Sequence, residues 1–358
     1  PWLLVGLLGT ALLAATEMTV VDLYGFRTVA DEFYLFHAAD PSVTSLLMVC
    51  FVPMAILLVA VAWLALARRK FITTQRDTQR RGGISAPLTV GFQSLAVILT
   101  LAIAGMIVVV PVGGLLMKLG PEVQVQGGEV SATWSAIAAW DRLLTAPKIF
   151  AAEYRWTAII AVLAGAVAVM IAWPMAAVAR THRRWERWLD LATMMAVTVP
   201  GPIVGLLVVR LFQWPIPGFH AMYQQTLVPT LIGLLVRAVP VSYWILRAGY
   251  RGMAAPIFDA SRLDDSWWRR MWRVDSRVLK GSLLVAAFAS AIVATGDVPV
   301  TLPVAPPGVM TVGTRLFGLL HSGARYQEAA LAIWYLGAVV AISLYFVRRS
   351  FALRGKMK

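Results

Sequence analysis

The chain has 358 residues, 59% of them hydrophobic and only 14% charged, with a mean hydropathy of +0.73 and a formal net charge of +14. A soluble domain carries about 25% charged residues, so the composition excludes a soluble globular protein and indicates an all-α, polytopic membrane bundle. The single cysteine, Cys50, excludes an intrachain disulfide and a thiolate cluster. His37, His182, His220 and His321 show no metal-ligand spacing, and no phosphate-binding loop of the Gly-x4-Gly-Lys-Ser/Thr kind occurs, so a nucleotide-driven step belongs to another subunit.

Apolar runs long enough to cross about 30 Å of hydrocarbon predict eight spans, at 1–16, 43–67, 88–117, 156–179, 188–212, 226–246, 282–298 and 328–347. The chain opens with Pro1-Trp2-Leu3-Leu4, already apolar and without the features of a signal peptide, and reads as a fragment cut into a transmembrane helix. Between the third and fourth spans, 118–155 is polar around Gly127-Gly128. It then turns amphipathic (Trp140, Leu143, Leu144, Ile149, Phe150), which predicts a helix along the outer interface. Pro200-Gly201-Pro202 and Pro240 interrupt later spans, and Arg210 and Arg237 lie near membrane depth. Such breaks expose backbone to a solute pathway or simply kink a helix.

Between the sixth and seventh spans, Ala260, Leu263, Trp267, Met271 and Val274 follow at three- and four-residue steps and so share one helical face. Arg262, Arg269, Arg270, Arg273 and Arg277 fall mostly off that face. A basic amphipathic helix of this kind either rests on lipid with its arginines reaching for water or docks into a partner.

Loop charge sets the orientation. Segments 68–87, 180–190, 247–281 and 348–358 hold 23 of the 32 Lys and Arg, so by the positive-inside rule they are expected in the cytosol, with the C-terminus. The basic balance thus expresses topology and contact with anionic lipid, and no basic patch with interleaved aromatics suggests nucleic acid.

A shift of 280 residues lays Ala14-Ala15-Thr16-Glu17-Met18-Thr19-Val20 over Ala294-Thr295-Gly296-Asp297-Val298-Pro299-Val300. After a short insertion Thr28-Val29-Ala30 meets Thr311-Val312-Gly313, and the following spans both end in Arg pairs, Arg68-Arg69 and Arg348-Arg349. This internal repeat predicts two six-span halves. Residues 1–70 are the end of the first half, 71–87 a cytosolic linker, 88–350 the second half with a loop at 251–281, and 351–358 a cytosolic tail. Glu17 and Asp297 take matching positions at the outer ends of matching spans, where they either line a pathway or bond freed backbone. Arg237 is the third pathway candidate, against a purely structural pairing.

At Asp259-Ala260-Ser261-Arg262-Leu263-Asp264-Asp265 the chain resembles the EAA loop of permease subunits in bacterial binding-protein-dependent ABC importers. Asp259 stands for the Glu, Ala260 and Ser261 for the two Ala, Asp265 for the Gly and Val274 for the Ile, while Ser276-Arg277 replaces Leu-Pro. Gly296-Asp297, Ala305-Pro306-Pro307-Gly308, Thr311-Val312 and Leu319-Leu320-His321 resemble the tail of the fused two-half iron(III)-type permeases.

The resemblance implies a MetI-like permease core in the bacterial inner membrane, served by a cytosolic ATPase dimer that holds ATP and Mg, and by a periplasmic binding protein. It implies no cofactor or metal on this chain and no catalysis by it. It also implies a coupling helix carrying Asp259, Ala260, Ser261, Leu263, Asp264, Asp265, Trp267, Trp268, Arg270, Met271 and Arg273, with the aromatics and Met271 in a groove of the ATPase and the arginines on its acidic rim. Ferric iron is the expected solute. Thiamine, a polyamine, sulfate or a phosphonate through the same machinery, and an ion-coupled secondary transporter, are the alternatives.

Overall fold

The computed structural model describes residues 90–126, 129–254, 266–322 and 326–355, with Ala55, Val59, Pro256, Phe258 and Asp259 as isolated positions. The first two predicted spans, and with them the first copy of the repeat, otherwise lie outside the described residues. In chain order the elements are α1 (Val90–Leu119), β1 (Pro121–Gln126), β2 (Glu129–Trp134), α2 (Ala136–Ile149), α3 (Ala151–Thr181), α4 (Arg183–Thr198), α5 (Gly201–Phe212) and α6 (Phe219–Gln225). They continue with α7 (Val228–Gly252), α8 (Trp267–Val278, with a π-helical turn over Met271–Asp275), α9 (Lys280–Gly296), α10 (Val298–Val304), α11 (Val312–His321) and α12 (Gln327–Gly355).

The result is an all-α membrane bundle with one small hairpin. Helices α1, α3, α7 and α12 are each long and apolar enough to cross a membrane, and two bent pairs raise the count to six if each pair is one span. The predicted span 188–212 is one of these pairs. It is two helices, α4 and α5, meeting at 98°. Proline explains the break: Pro200 offers no amide hydrogen and disfavours helical geometry at Val199, and both residues are extended, with ψ of 122° and 141°. The second pair, α8 and α9, bends by 86° at Leu279 without any proline.

Segment 118–155 also differs from expectation in its first half. Strands β1 and β2 pair antiparallel, with Gln126 opposite Glu129. Val123, Val125, Val130 and Ala132 alternate with polar residues on either side of Gly127-Gly128, the pattern of a two-stranded ribbon. The second half is helical: Ser135 caps α2, its Oγ accepting from Ala138 N at 3.3 Å.

Two compact units organise the described residues. The smaller spans Ala65–Ala151 and Gly318–Val340. Inside it Arg142 donates to the carbonyls of Leu119 and Pro121 and lies over the Tyr326 ring. Lys118 pairs with the buried Glu328 at 3.1 Å, and Trp334 Nε1 donates to Leu143 O at 2.8 Å. Of these contacts, the bond from Arg142 to Leu119 satisfies a carbonyl left over at the end of α1.

The larger unit, Ala152–Phe317 with the chain from Ala341 on, is built around α7. That helix packs on α9 along a buried polar seam: Ser290 Oγ donates to Ala238 O at 2.8 Å and sits 2.7 Å from Ser242 Oγ. In a membrane, helices associate through close packing and hydrogen bonds of this sort rather than through a hydrophobic drive. The seven-residue α10 is held by its own leftover carbonyls, with Tyr223 Oη donating to Pro303 O at 2.6 Å and Thr230 Oγ1 to Val304 O at 2.9 Å. Helix α3 presents Ala164, Gly165, Ala168, Ala172 and Ala176 as a small-residue face. At Gly165 a Cβ would come within 2.5 Å of Ala287 O on α9, backbone that cannot move aside.

A Gly165→Val substitution therefore forces α3 and α9 apart and lowers stability by about 1–3 kcal/mol. Thermal unfolding in detergent should show a clear fall for it and none for Gly281→Val, where a Cβ meets nothing within 4 Å.

Candidate coupling site and a membrane-depth ion pair

One end of the larger unit concentrates charge. Helix α4 brings Glu186 and Asp190 one turn apart, and α7 brings Arg247 and Arg251 one turn apart, so two acids face two arginines. Arg247 pairs with both Asp190 and Glu186, and Arg251 Nη2 reaches Glu186 Oε1 at 3.0 Å. Tyr243 Oη donates to Asp190 Oδ1 at 2.9 Å. Arg247 is almost wholly buried, with a side-chain exposure of 6%. Burying a guanidinium costs several kcal/mol unless it is paired and hydrogen-bonded, and here two carboxylates and the rings of Tyr243 and Trp244 surround it. A recess of about 130 Å³ opens beside this cluster, lined by Ala176, Ala179, Arg180, Glu186, Arg247, Tyr250 and Arg251.

A second set of contacts ties α8 to the same end. Trp173 Nε1 on α3 donates to Tyr250 Oη at 3.1 Å, and Tyr250 Oη donates to Asp275 Oδ2 at 2.8 Å. Arg270 Nε stands 3.9 Å from the same oxygen, and its guanidinium lies 4.9 Å from the Phe258 ring centre. Arg180 lies 5.1 Å from that ring, so Phe258 is flanked by two cations. Arg270, Met271 and Asp275 are buried, Met271 packing with Tyr250, Phe258 and Leu279 in one apolar cluster. Among the described residues, buried Arg270 Nε and Nη2 and Asp275 Oδ1 have no hydrogen-bond partner. The arginine and the aspartate therefore stand close without closing their bidentate pair. The π-helical turn lies across these residues, in keeping with its frequent use at functional positions.

Farther along α7, Arg237 Nη1 donates to Asp297 Oδ1 at 3.0 Å. Asp297 occupies the break between α9 and α10, with φ −86° and ψ 68°. Its carboxylate lies beside the start of α5, since a Cβ at Gly201 would sit 3.1 Å from Oδ1. Two interruptions of the bundle thus meet at one pair of charges. Among the described residues no group of His, Cys, Asp or Glu comes together in a way that could hold a metal ion.

No family model matches the chain. Over 215 residues, 59% of this chain and 74% of theirs, it is 27% identical to proteins of Salmonella typhimurium strain LT2 and Salmonella choleraesuis strain SC-B67, each provisionally named a 2-aminoethylphosphonate transport system permease protein. A protein of Salmonella paratyphi A with the same name matches equally well. The similarity is to permeases of a transport system. It favours the importer-permease resemblance and gives no support to the iron(III)-type subgroup.

The residues expected to couple to a partner divide in three. Ala260, Ser261, Leu263, Asp264 and Asp265 lie outside the described residues, as does the pathway candidate Glu17, while Asp259 is exposed. Trp268 and Arg273 are exposed too, together with Arg269 and Trp272. Arg270 and Met271 face the opposite way, into the protein's own core, and Trp267 packs half-buried against it. Those three side chains hold α8 in place and are not presented to a partner. The helical face through Trp267, Met271 and Val274 is thus directed at α3 and α7. The pathway candidates Arg237 and Asp297 are brought together as a pair.

Sequence reasoning passed over Glu186, Asp190, Arg247, Tyr250, Phe258 and Asp275. Spacing held part of the signal, since acids at 186 and 190 and arginines at 247 and 251 each lie four apart, on one helical face. Asp275 was detectable as an acid next to Val274 on an otherwise apolar stripe.

Replacing Arg247 by Met leaves Asp190 and Glu186 without their cation and costs about 3–5 kcal/mol. Unfolding in detergent should fall sharply for that variant. It should stay within about 0.5 kcal/mol for Arg184→Met, an exposed arginine on the same helix as the two acids.

Proposed function

We propose that the chain is the membrane-spanning permease of an ATP-driven importer and moves a small solute handed over by a binding protein. The observation that carries this is the two-sided character of α8. One side exposes Trp268, Arg269, Trp272 and Arg273; the other is fastened to α3 and α7 through Met271, Asp275, Tyr250 and Trp173. Trp and Arg are the side chains that most often anchor a protein interface. A partner seated on the exposed side can pull on the spans, because the inner side is packed and hydrogen-bonded to them.

In this reading the exposed side of α8, with the segment from Asp259, meets a cytosolic ATPase, and the arginine-rich end of the bundle lies in the cytosol of a bacterium with the C-terminus. ATP and Mg stay on the ATPase. The catalytic work is the partner's, and this chain supplies the switching pathway. Phosphonate replaces ferric iron as the preferred solute, because the relatives carry a phosphonate transport name and because a cation at membrane depth, Arg237, suits an anion better than a metal ion.

The test uses the complete transporter, with its ATPase and binding protein. Trp268→Ala combined with Arg273→Glu should reduce ATPase co-purification and solute-stimulated ATP hydrolysis at least tenfold, with the permease still unfolding cooperatively in detergent. Undiminished association and hydrolysis in a well-folded variant would reject the docking role of α8.

A further inference from the structure

Arg237 is the tenth residue of α7, roughly 14 Å along the helix at 1.5 Å per residue, and so lies near mid-membrane. Its side chain is 19% exposed, whereas that of Asp297 is 2% exposed. Among the described residues Asp297 is its one partner, through Nη1. A guanidinium carries five N–H donors, so most of them are not spent on Asp297. Hydrocarbon offers no acceptor, and an arginine facing it at this depth costs several kcal/mol. The exposed edge of Arg237 therefore requires polar groups or water beside it rather than lipid.

The chemistry of that edge selects a ligand. A guanidinium presents parallel N–H groups that match the oxygens of a phosphonate, phosphate or similar oxyanion, while a metal cation is repelled. Asp297 shapes the response in two ways. It holds the guanidinium from the buried side, beside the first turn of α5, where a helix start favours its negative charge. It also cancels part of the positive field, so that an anion binds well enough to enter and weakly enough to leave.

Building on the permease reading above, we infer that Arg237, positioned by Asp297, is the anion-recognising residue of the pathway and that the solute it takes is a small oxyanion of the phosphonate class. Arg237 touches the solute, and Asp297 acts through Arg237.

Two measurements test this in the complete transporter. Uptake of radiolabelled 2-aminoethylphosphonate should fall at least tenfold in Arg237→Met combined with Asp297→Asn, a pair that leaves no lone buried charge, while the permease still co-purifies with its ATPase in the same yield. Unchanged uptake in the double variant overturns the inference and leaves the permease reading intact. Absence of uptake by the unmodified transporter, with stimulated hydrolysis preserved, overturns the assigned solute class; absence of both rejects the permease reading itself. The second measurement survives a poorly folding double variant. In a Cys50→Ser background that keeps Arg237 and Asp297, Val241→Cys, one helical turn along α7 from Arg237, should react with a charged, membrane-impermeant methanethiosulfonate, and 2-aminoethylphosphonate should slow the reaction at least fivefold. A thiol at 241 that stays unreactive throughout the ATP cycle, or whose reaction the phosphonate does not slow, contradicts the inference.

Discussion

Arg247 is a buried guanidinium whose burial would cost several kcal/mol if Asp190 and Glu186 did not close on it from α4. The larger unit is organised by that requirement, repeated along α7. Arg237 is answered by Asp297, Ser242 by Ser290, Tyr243 by Asp190, Tyr250 by Asp275 and Trp173, and Arg251 by Glu186. The answers come from α3, α4, α8, α9 and the break after α9, so that satisfying one helix fixes the placement of the others. Apolar packing alone would not do this, because lipid tails are as apolar as the helices they surround.

The same requirement explains the interruptions. Helices α5 and α10 are too short to span and end inside the bundle, where their leftover backbone groups need partners. Tyr223 and Thr230 supply them for α10, and Asp297 lies beside the start of α5. Broken helices at membrane depth are tolerated where protein or a water-filled cavity satisfies them, and such places are where transporters bind their solutes. In the proposed reading, the charged pair at the junction of two breaks belongs to the pathway, and the Arg247 cluster and the contacts of α8 belong to the machinery that moves it.

Much of the fold was legible in composition. Hydropathy marked the helices that became α1, α3, α7, α9 and α12, because a span must be apolar over its whole length whatever it packs against. The right-angled turn at Val199–Pro200 was only half legible: Pro200-Gly201-Pro202 advertised a break, but the apolar run continued across it and read as one span. The bend at Leu279 carried no proline and left no mark. The hairpin was hidden by Gly127-Gly128, which suggested irregular polar chain, although Val123, Val125 and Val130 already alternated. For the candidate site the limit was different. Periodicity put Trp267, Met271 and Val274 on one face but could not say which apolar surface receives it, since a partner's groove and the protein's own core present the same chemistry. Arg270 showed this most clearly, an arginine suited to an interface rim that lies buried beside Phe258 and Asp275. Arg237 and Asp297 were each singled out, yet their pairing joins positions 60 residues apart, and local pattern does not encode that.

The central claim is that α8 joins a docked partner to the spans. Nucleotide-dependent cross-linking tests it most directly. With Trp272→Cys in a Cys50→Ser background and the complete transporter in lipid, a short thiol cross-linker should join position 272 to the ATPase subunit, in a yield that changes several-fold when ATP is bound. Failure to cross-link in every nucleotide state, with position 272 instead labelled by a lipid-dissolved thiol reagent, would return α8 to the membrane surface and contradict the account.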